Sequence, residues 1–149
     1  MINDYHRELL INVIGGYNKK HNIANYEYES LNYKKYNKLL KETAVVPSPF
    51  GLGEICYRDF EILFSGCVMI KPNMNHLKTW PNIYRPMETY IPCKWDFSDF
   101  EEKINWVFKN ISKAQEIASS GQNLVARVLL KENNFTHRFK NIIESALRC

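Results

Sequence analysis

Glycine is scarce in this sequence, only six residues, yet three of them (Gly51, Gly53 and Gly66) fall in one short stretch. Cysteine is equally sparse: Cys56, Cys67, Cys93 and Cys149 are widely spaced and form no CxxC pair. With no secretory leader ahead of them, they point to a reduced, intracellular setting rather than a disulfide framework. The four histidines do not cluster with the cysteines, which argues against structural zinc. No apolar run approaches the ~18 residues of a membrane-spanning helix. Nor is there an HExxH pair, a Walker loop, a Ser–His–Asp order or a paired set of catalytic carboxylates. Charge of one sign is also lacking: 20 basic residues against 16 acidic leave a net +4. That mild excess permits an anionic ligand without demanding nucleic acid.

What is present reads as one α/β domain over residues 1–149, with short apolar strands alternating with amphipathic helices around a mainly parallel sheet. Leu9, Leu10, Val13 and Ile14 share a helical face that is expected to stop near Gly15–Gly16. A polar connection, NIANYEYES, leads to a helix with Tyr33, Tyr36, Leu39 and Leu40 at helical spacing. AVVPS is a short strand, PFGLGE a loop, and a helix is expected from about Glu54 to Ser65 with Cys56, Phe60, Leu63 and Phe64 inward. Gly66 ends it. CVMIKP is a continuous apolar strand suited to a parallel sheet, NMNHLKTWPNIYRPMET an ordered loop, and TYIPC the next strand. Ser98 and Glu101 form a capping box for a helix carrying Phe100, Ile104, Val107, Phe108 and Ile111. A long helix from Ser112 to Leu130 buries Ala114, Ile117, Ala118, Val125 and Val128. The closing helix sets Phe135, Phe139, Ile142, Ile143 and Ala146 on one side.

Ligands of open α/β sheets sit where strands end and helices begin. There, unpaired amides carry partial positive charge suited to phosphate. Gly51 and Gly53 allow a backbone to approach a diphosphate, and Glu54, Arg58 and Glu61 follow at helical intervals. Glu54 and Arg58 also fit a plain surface pair. As ligand groups, Arg58 offers forked donors to phosphate and Glu61 accepts from ribose or sugar hydroxyls. Lys71, directly after a buried strand, is a further phosphate candidate. His76 in the following loop, and Trp80, Tyr84 and Trp95 as stacking rings, have alternative roles as bystander or loop anchors. His137 and Arg138 fit capping and solubility.

The order of these pieces, YNKLLKETAVVPSPFGLGE, RDFEILFSGCV, YIPCKWDFSDFEEKI and AQEIASSGQNLVARVLLKENNFTHR, resembles the C-terminal, nucleotide-sugar-binding half of GT-B glycosyltransferases. The group-1 and exostosin-like branches are nearest, and the resemblance runs from Tyr36 to Arg138. It implies a Rossmann-like three-layer domain, incomplete on its N-terminal side, that binds a UDP- or GDP-sugar as substrate without a cofactor or metal. It places Gly51, Gly53 and Glu54 beside the donor diphosphate, Arg58 at a phosphate and Glu61 at the ribose. Gly53 stands where retaining relatives carry the first glutamate of a pair, so retaining or inverting chemistry stays open. The implied acceptor is a saccharide, a lipid-linked glycan or a protein, held by a further N-terminal domain or a separate subunit, and the isolated chain is expected to be inactive. The expected setting is cytoplasmic or membrane-peripheral. The competing readings are a basic nucleic-acid-binding module, resting on NKKHN and YKKYNKLLK, and a scaffold that has lost activity. No nucleic-acid partner is expected on the main reading.

Overall fold

The computed structural model describes residues 2–23, 31–129 and 134–147. Among the described residues, six helices accompany a three-stranded parallel sheet. In chain order they are α1 (Ile2–Lys20), α2 (Tyr33–Glu42), β1 (Val45–Pro47), α3 (Tyr57–Ser65), β2 (Val68–Pro72), β3 (Ile91–Cys93), α4 (Phe100–Lys109), α5 (Ile111–Leu129) and α6 (Asn134–Ala146). The strand order is β1-β2-β3, with Val45 opposite Val68 and Ile70 opposite Ile91.

β2 is the central strand and every one of its residues is buried, as its unbroken apolar pattern requires when both faces are covered. Because side chains alternate along a strand, Val68 and Ile70 enter one core while Met69 enters the other. The first core gathers Leu10 of α1, Phe100 and Val107 of α4, and Ala114, Ile117 and Ala118 of α5. The second gathers Leu40, Ile62, Leu63, Met74, Tyr90, Leu124 and Val125. The N-terminal half of α5 thus serves one face of the sheet and its C-terminal half the other. Gly121 lets α5 approach closely: a Cβ there would stand 2.6 Å from Leu63 Cδ2 and 3.0 Å from the Thr89 carbonyl.

Several expected boundaries shift, each for a local reason. α1 runs through Gly15 and Gly16 to Lys20. Leu9, Val13 and Ile14 pack on the first core, and Lys20 and His21 reach Glu101 at 2.7 and 3.2 Å. This packing outweighs the ~1 kcal/mol that a helical glycine costs against alanine. α3 begins at Tyr57, three residues later than expected, because Cys56 is its N-cap and the Asp59 carboxylate returns to the Cys56 amide at 3.1 Å. Gly66 does end α3, at φ 72°. The capping box expected from Ser98 and Glu101 does not form. Asp99 is the cap residue, Ser98 N–H donates to Asp96, and Glu101 is held by Lys20 and His21. Tyr33, Leu39, Phe64, Phe108, Ile111, Phe139, Ile142 and Ile143, expected inside, are exposed. Ala24–Ser30, Leu130 and Cys149 lie outside the described residues, as do the side chains of Phe135 and Ala146.

Candidate functional site

The C-terminal ends of β1 and β3 open on the same side of the parallel sheet. The chain leaves β1 through Ser48–Cys56 and leaves β3 through Lys94–Asp99. Between these loops and the first turns of α1 lies a cleft of about 350 Å³, lined by Tyr5, His6, Phe50, Gly51, Leu52, Gly53, Glu54 and Trp95. Tyr5 and Trp95 stack at 6.1 Å between ring centroids, and each stays more than half exposed. The walls are therefore aromatic and backbone, with Glu54 at the edge. Glu54 accepts from His76 Nε2 at 2.9 Å. Neither Gly51 nor Gly53 has a positive φ. A Cβ at Gly51 would meet Cys56 Sγ at 3.2 Å, whereas one at Gly53 meets nothing within 4 Å. A side chain at Gly51 would thus press on Cys56, and Gly53 leaves open space beside the cleft.

Behind the loop lies a buried polar cluster centred on Asp59. Its carboxylate accepts from Ser48 Oγ at 2.5 Å, Tyr84 OH at 2.6 Å and the Cys56 amide at 3.1 Å. It also pairs with Lys71 Nζ at 3.1 Å, both side chains fully buried. A buried carboxylate is tolerable only when its lone pairs are taken up, and here four groups from separate segments share them. Tyr84 is shifted strongly upward, by burial first and then by the adjacent Asp59 charge. The Lys71 ammonium sits 5.1 Å from the centre of the Phe50 ring. Lys71, read from the sequence as a phosphate ligand at a strand exit, is instead sealed behind Phe50 and neutralised by Asp59.

His6 is the second buried anchor. Its Nδ1 accepts from the Phe50 amide at 2.8 Å and its Nε2 lies 2.9 Å from the Trp95 carbonyl. A carbonyl only accepts, so Nε2 carries the proton and the ring is neutral. Burial pushes its pKa below the ordinary value, against the pull of the Trp95 carbonyl, and the Lys71 charge adds to the lowering.

Arg58 and Glu61 are placed beside the cleft rather than in it. Arg58 donates to the Pro49 carbonyl at 2.8 Å and to Ser48 Oγ at 3.3 Å. It lines a neighbouring groove with Arg7, Tyr36, Pro47 and Pro49. Glu61 accepts from Tyr36 OH at 3.1 Å. Burial, then the hydrogen bond to Glu61, pushes the Tyr36 phenol up to about 12. The Pro49–Phe50 segment therefore separates two hollows: Gly51, Gly53 and Glu54 face one, Arg58 the other. Of the stacking candidates, Trp95 lines the cleft, Tyr84 is buried in the Asp59 cluster, and Trp80 lies under the Arg138 guanidinium at 5.1 Å.

Asp59 and His6 were not singled out from the sequence. Asp59 reads as an ordinary first-turn acid, and His6 as one polar residue on an amphipathic helix. One signal was available: Lys71 closes an otherwise apolar buried strand, and a buried ammonium requires a carboxylate partner. Among the described residues, no three His, Cys, Asp or Glu side chains are grouped to hold a metal ion. No helix among them is long and apolar enough to cross a membrane.

Comparison with known proteins bears on this region of the chain. The profile of glycosyltransferase family 90 matches residues 53–146, well over half of the sequence. The human protein O-glucosyltransferase 3 is 26% identical over 88 residues, covering 59% of this chain. The matched segment is 17% of that relative's length.

Proposed function

The chain belongs to glycosyltransferase family 90, and from that membership we propose that it is the donor-binding domain of a hexosyltransferase, holding a nucleoside-diphosphate sugar at the carboxyl edge of its sheet. The observation that carries this reading is the cleft in which Gly51, Gly53 and Glu54 meet Tyr5, His6, Phe50 and Trp95. A planar ring stacks on Trp95, the diphosphate follows the Gly51–Gly53 backbone, and Glu54 accepts from hydroxyls. Arg58, already oriented by Pro49 and Ser48, approaches the phosphates from the adjoining groove, and Glu61 takes a ribose hydroxyl. As the leaving group departs, negative charge grows on the diphosphate. A guanidinium and fixed amides at that position stabilise the transition state more than the ground state. Lys71 contributes by holding Phe50 in place. The name of the human relative, a protein O-glucosyltransferase, favours a protein over a saccharide or lipid-linked glycan as acceptor. A further domain or subunit holds that acceptor, so this chain alone does not turn over.

Calorimetric titration with UDP, GDP, ADP and CDP tests the reading. UDP or GDP is expected to bind, and Glu54→Ala, Arg58→Ala and Glu61→Ala each to weaken binding about tenfold, the usual loss for a hydrogen bond to a charged group. A folded protein that binds none of the four would remove it.

A further inference from the structure

The family match begins at residue 53, so α1 and Ser48–Phe50 lie outside it, yet α1 builds one side of the cleft. We propose that His6 is a positioning residue that sets the cleft's width by tying its two walls to one neutral imidazole. The two bonds join parts of the chain that are remote in sequence. Nδ1 holds the Phe50 amide on the β1 exit loop, and Nε2–H holds the Trp95 carbonyl on the β3 exit loop. The ring is buried and packs among Phe50, Trp95 and Phe97 at centroid distances of 4.6, 5.1 and 4.8 Å. Phe50 is consequently held by His6, which stacks on its ring, and by the Lys71 ammonium 5.1 Å from the ring centre. Trp95 is held at the cleft wall through its own backbone oxygen, which accepts from His6. No other side-chain type has two ring nitrogens that accept on one side and donate on the other at this spacing. Histidine at this position follows from the bonding it must do.

The choice of ligand rests on the donor reading above; the strut itself rests on the two hydrogen bonds. His6→Phe keeps a ring of similar shape and removes both bonds. Val13→Ala, on the same helix but away from the cleft, serves as the control for general loosening of α1. With UDP and GDP as probes, His6→Phe is expected to weaken binding about tenfold or more, while Val13→Ala binds as wild type. In hydrogen exchange, His6→Phe is expected to lose protection at the Phe50 amide and Val13→Ala to retain it. Equal affinity in His6→Phe and wild type, or a Phe50 amide equally protected in both, would overturn the proposal. If wild type binds neither nucleotide, the donor reading fails, and the Phe50 exchange still decides the strut. If His6→Phe does not fold, the wild-type imidazole nitrogens are read by NMR. A proton on Nε2 with Nδ1 accepting supports the proposal, and the opposite tautomer sinks it.

Discussion

Asp59 shows how much of the loop's shape depends on one side chain. Its two oxygens satisfy a hydroxyl, a phenol, an amide and an ammonium, and among the described residues no buried side-chain polar atom is left unpaired. Asp59→Asn keeps the shape and removes the charge that Lys71 requires, so an ammonium is left in the core. Breaking a buried ion pair from one side costs about 3–5 kcal/mol, and urea unfolding of Asp59→Asn should show a loss of that order. Adding Lys71→Met removes the stranded charge, and the double variant should recover more than half of the loss. Additive losses in the two variants would mean that the pair is not coupled. The same arithmetic explains why Lys71 was misread from the sequence. A lysine after an apolar run looks like a strand exit, and even read as a buried ammonium it does not reveal which carboxylate meets it, here one twelve residues earlier on the facing helix.

Among the elements, the glycines separate what periodicity could and could not reveal. Gly66 was legible: it follows the last periodic residue of α3, and its φ of 72° is a conformation that costs other residues about 1 kcal/mol. Gly15 and Gly16 misled, because a glycine pair marks a helix end only when tertiary packing does not carry the helix past it. Gly121 gave no signal, since close approach to Leu63 and Thr89 depends on which helix α5 meets. Gly15, Gly66 and Gly121 therefore differ on substitution. Gly15→Ala, with nothing within 4 Å of its new methyl, should stabilise by ~0.5–1 kcal/mol. Gly66→Ala should lose about 1 kcal/mol. Gly121→Ala gains the same helix propensity but overpacks against a buried leucine and a backbone oxygen, for a net loss of ~1–2 kcal/mol. Denaturant midpoints should rank them in that order, and a stabilised Gly121→Ala would refute the packing described for α5. The parallel sheet itself was readable, because CVMIKP is apolar without interruption and strands of that kind are covered on both faces. The starts of α3 and α4 were not, because Asp59 and Asp99 choose the caps through bonds to loop amides.

For the molecule as a whole, the cleft was half legible. Gly51, Gly53 and Glu54, which line it, could be grouped from the sequence because loop and helix are contiguous there. Tyr5 and His6 were not, because nothing in their own segment announces that α1 crosses the strand ends. That crossing links pH to the stability of the entire fold. His6 titrates below its ordinary 6.5, chiefly because burial disfavours the imidazolium, with Lys71 adding to the effect. Protonation would also give Nδ1 a hydrogen where it must accept one from Phe50. The unfolded chain therefore takes up a proton at a pH where the folded chain still refuses it. By linkage, the stability contributed by neutral His6 is fully present above pH 6.5 and is lost as the pH falls through the lower, folded-state value, at up to ~1.4 kcal/mol per pH unit. Glu101 and Asp96, whose pKa values are held below the ordinary carboxylate range by Lys20 and by Ser98 respectively, weaken the fold only in more acidic solution. Urea unfolding at pH 7.5, 6.5, 5.5 and 5.0 should thus show wild-type stability falling below pH 6.5. His6→Phe starts lower, having lost both bonds, but should be flatter across the same range because position 6 no longer carries a group to protonate. Parallel pH profiles for the two proteins would mean that the acid sensitivity belongs elsewhere and that the buried neutral imidazole does not join α1 to the sheet.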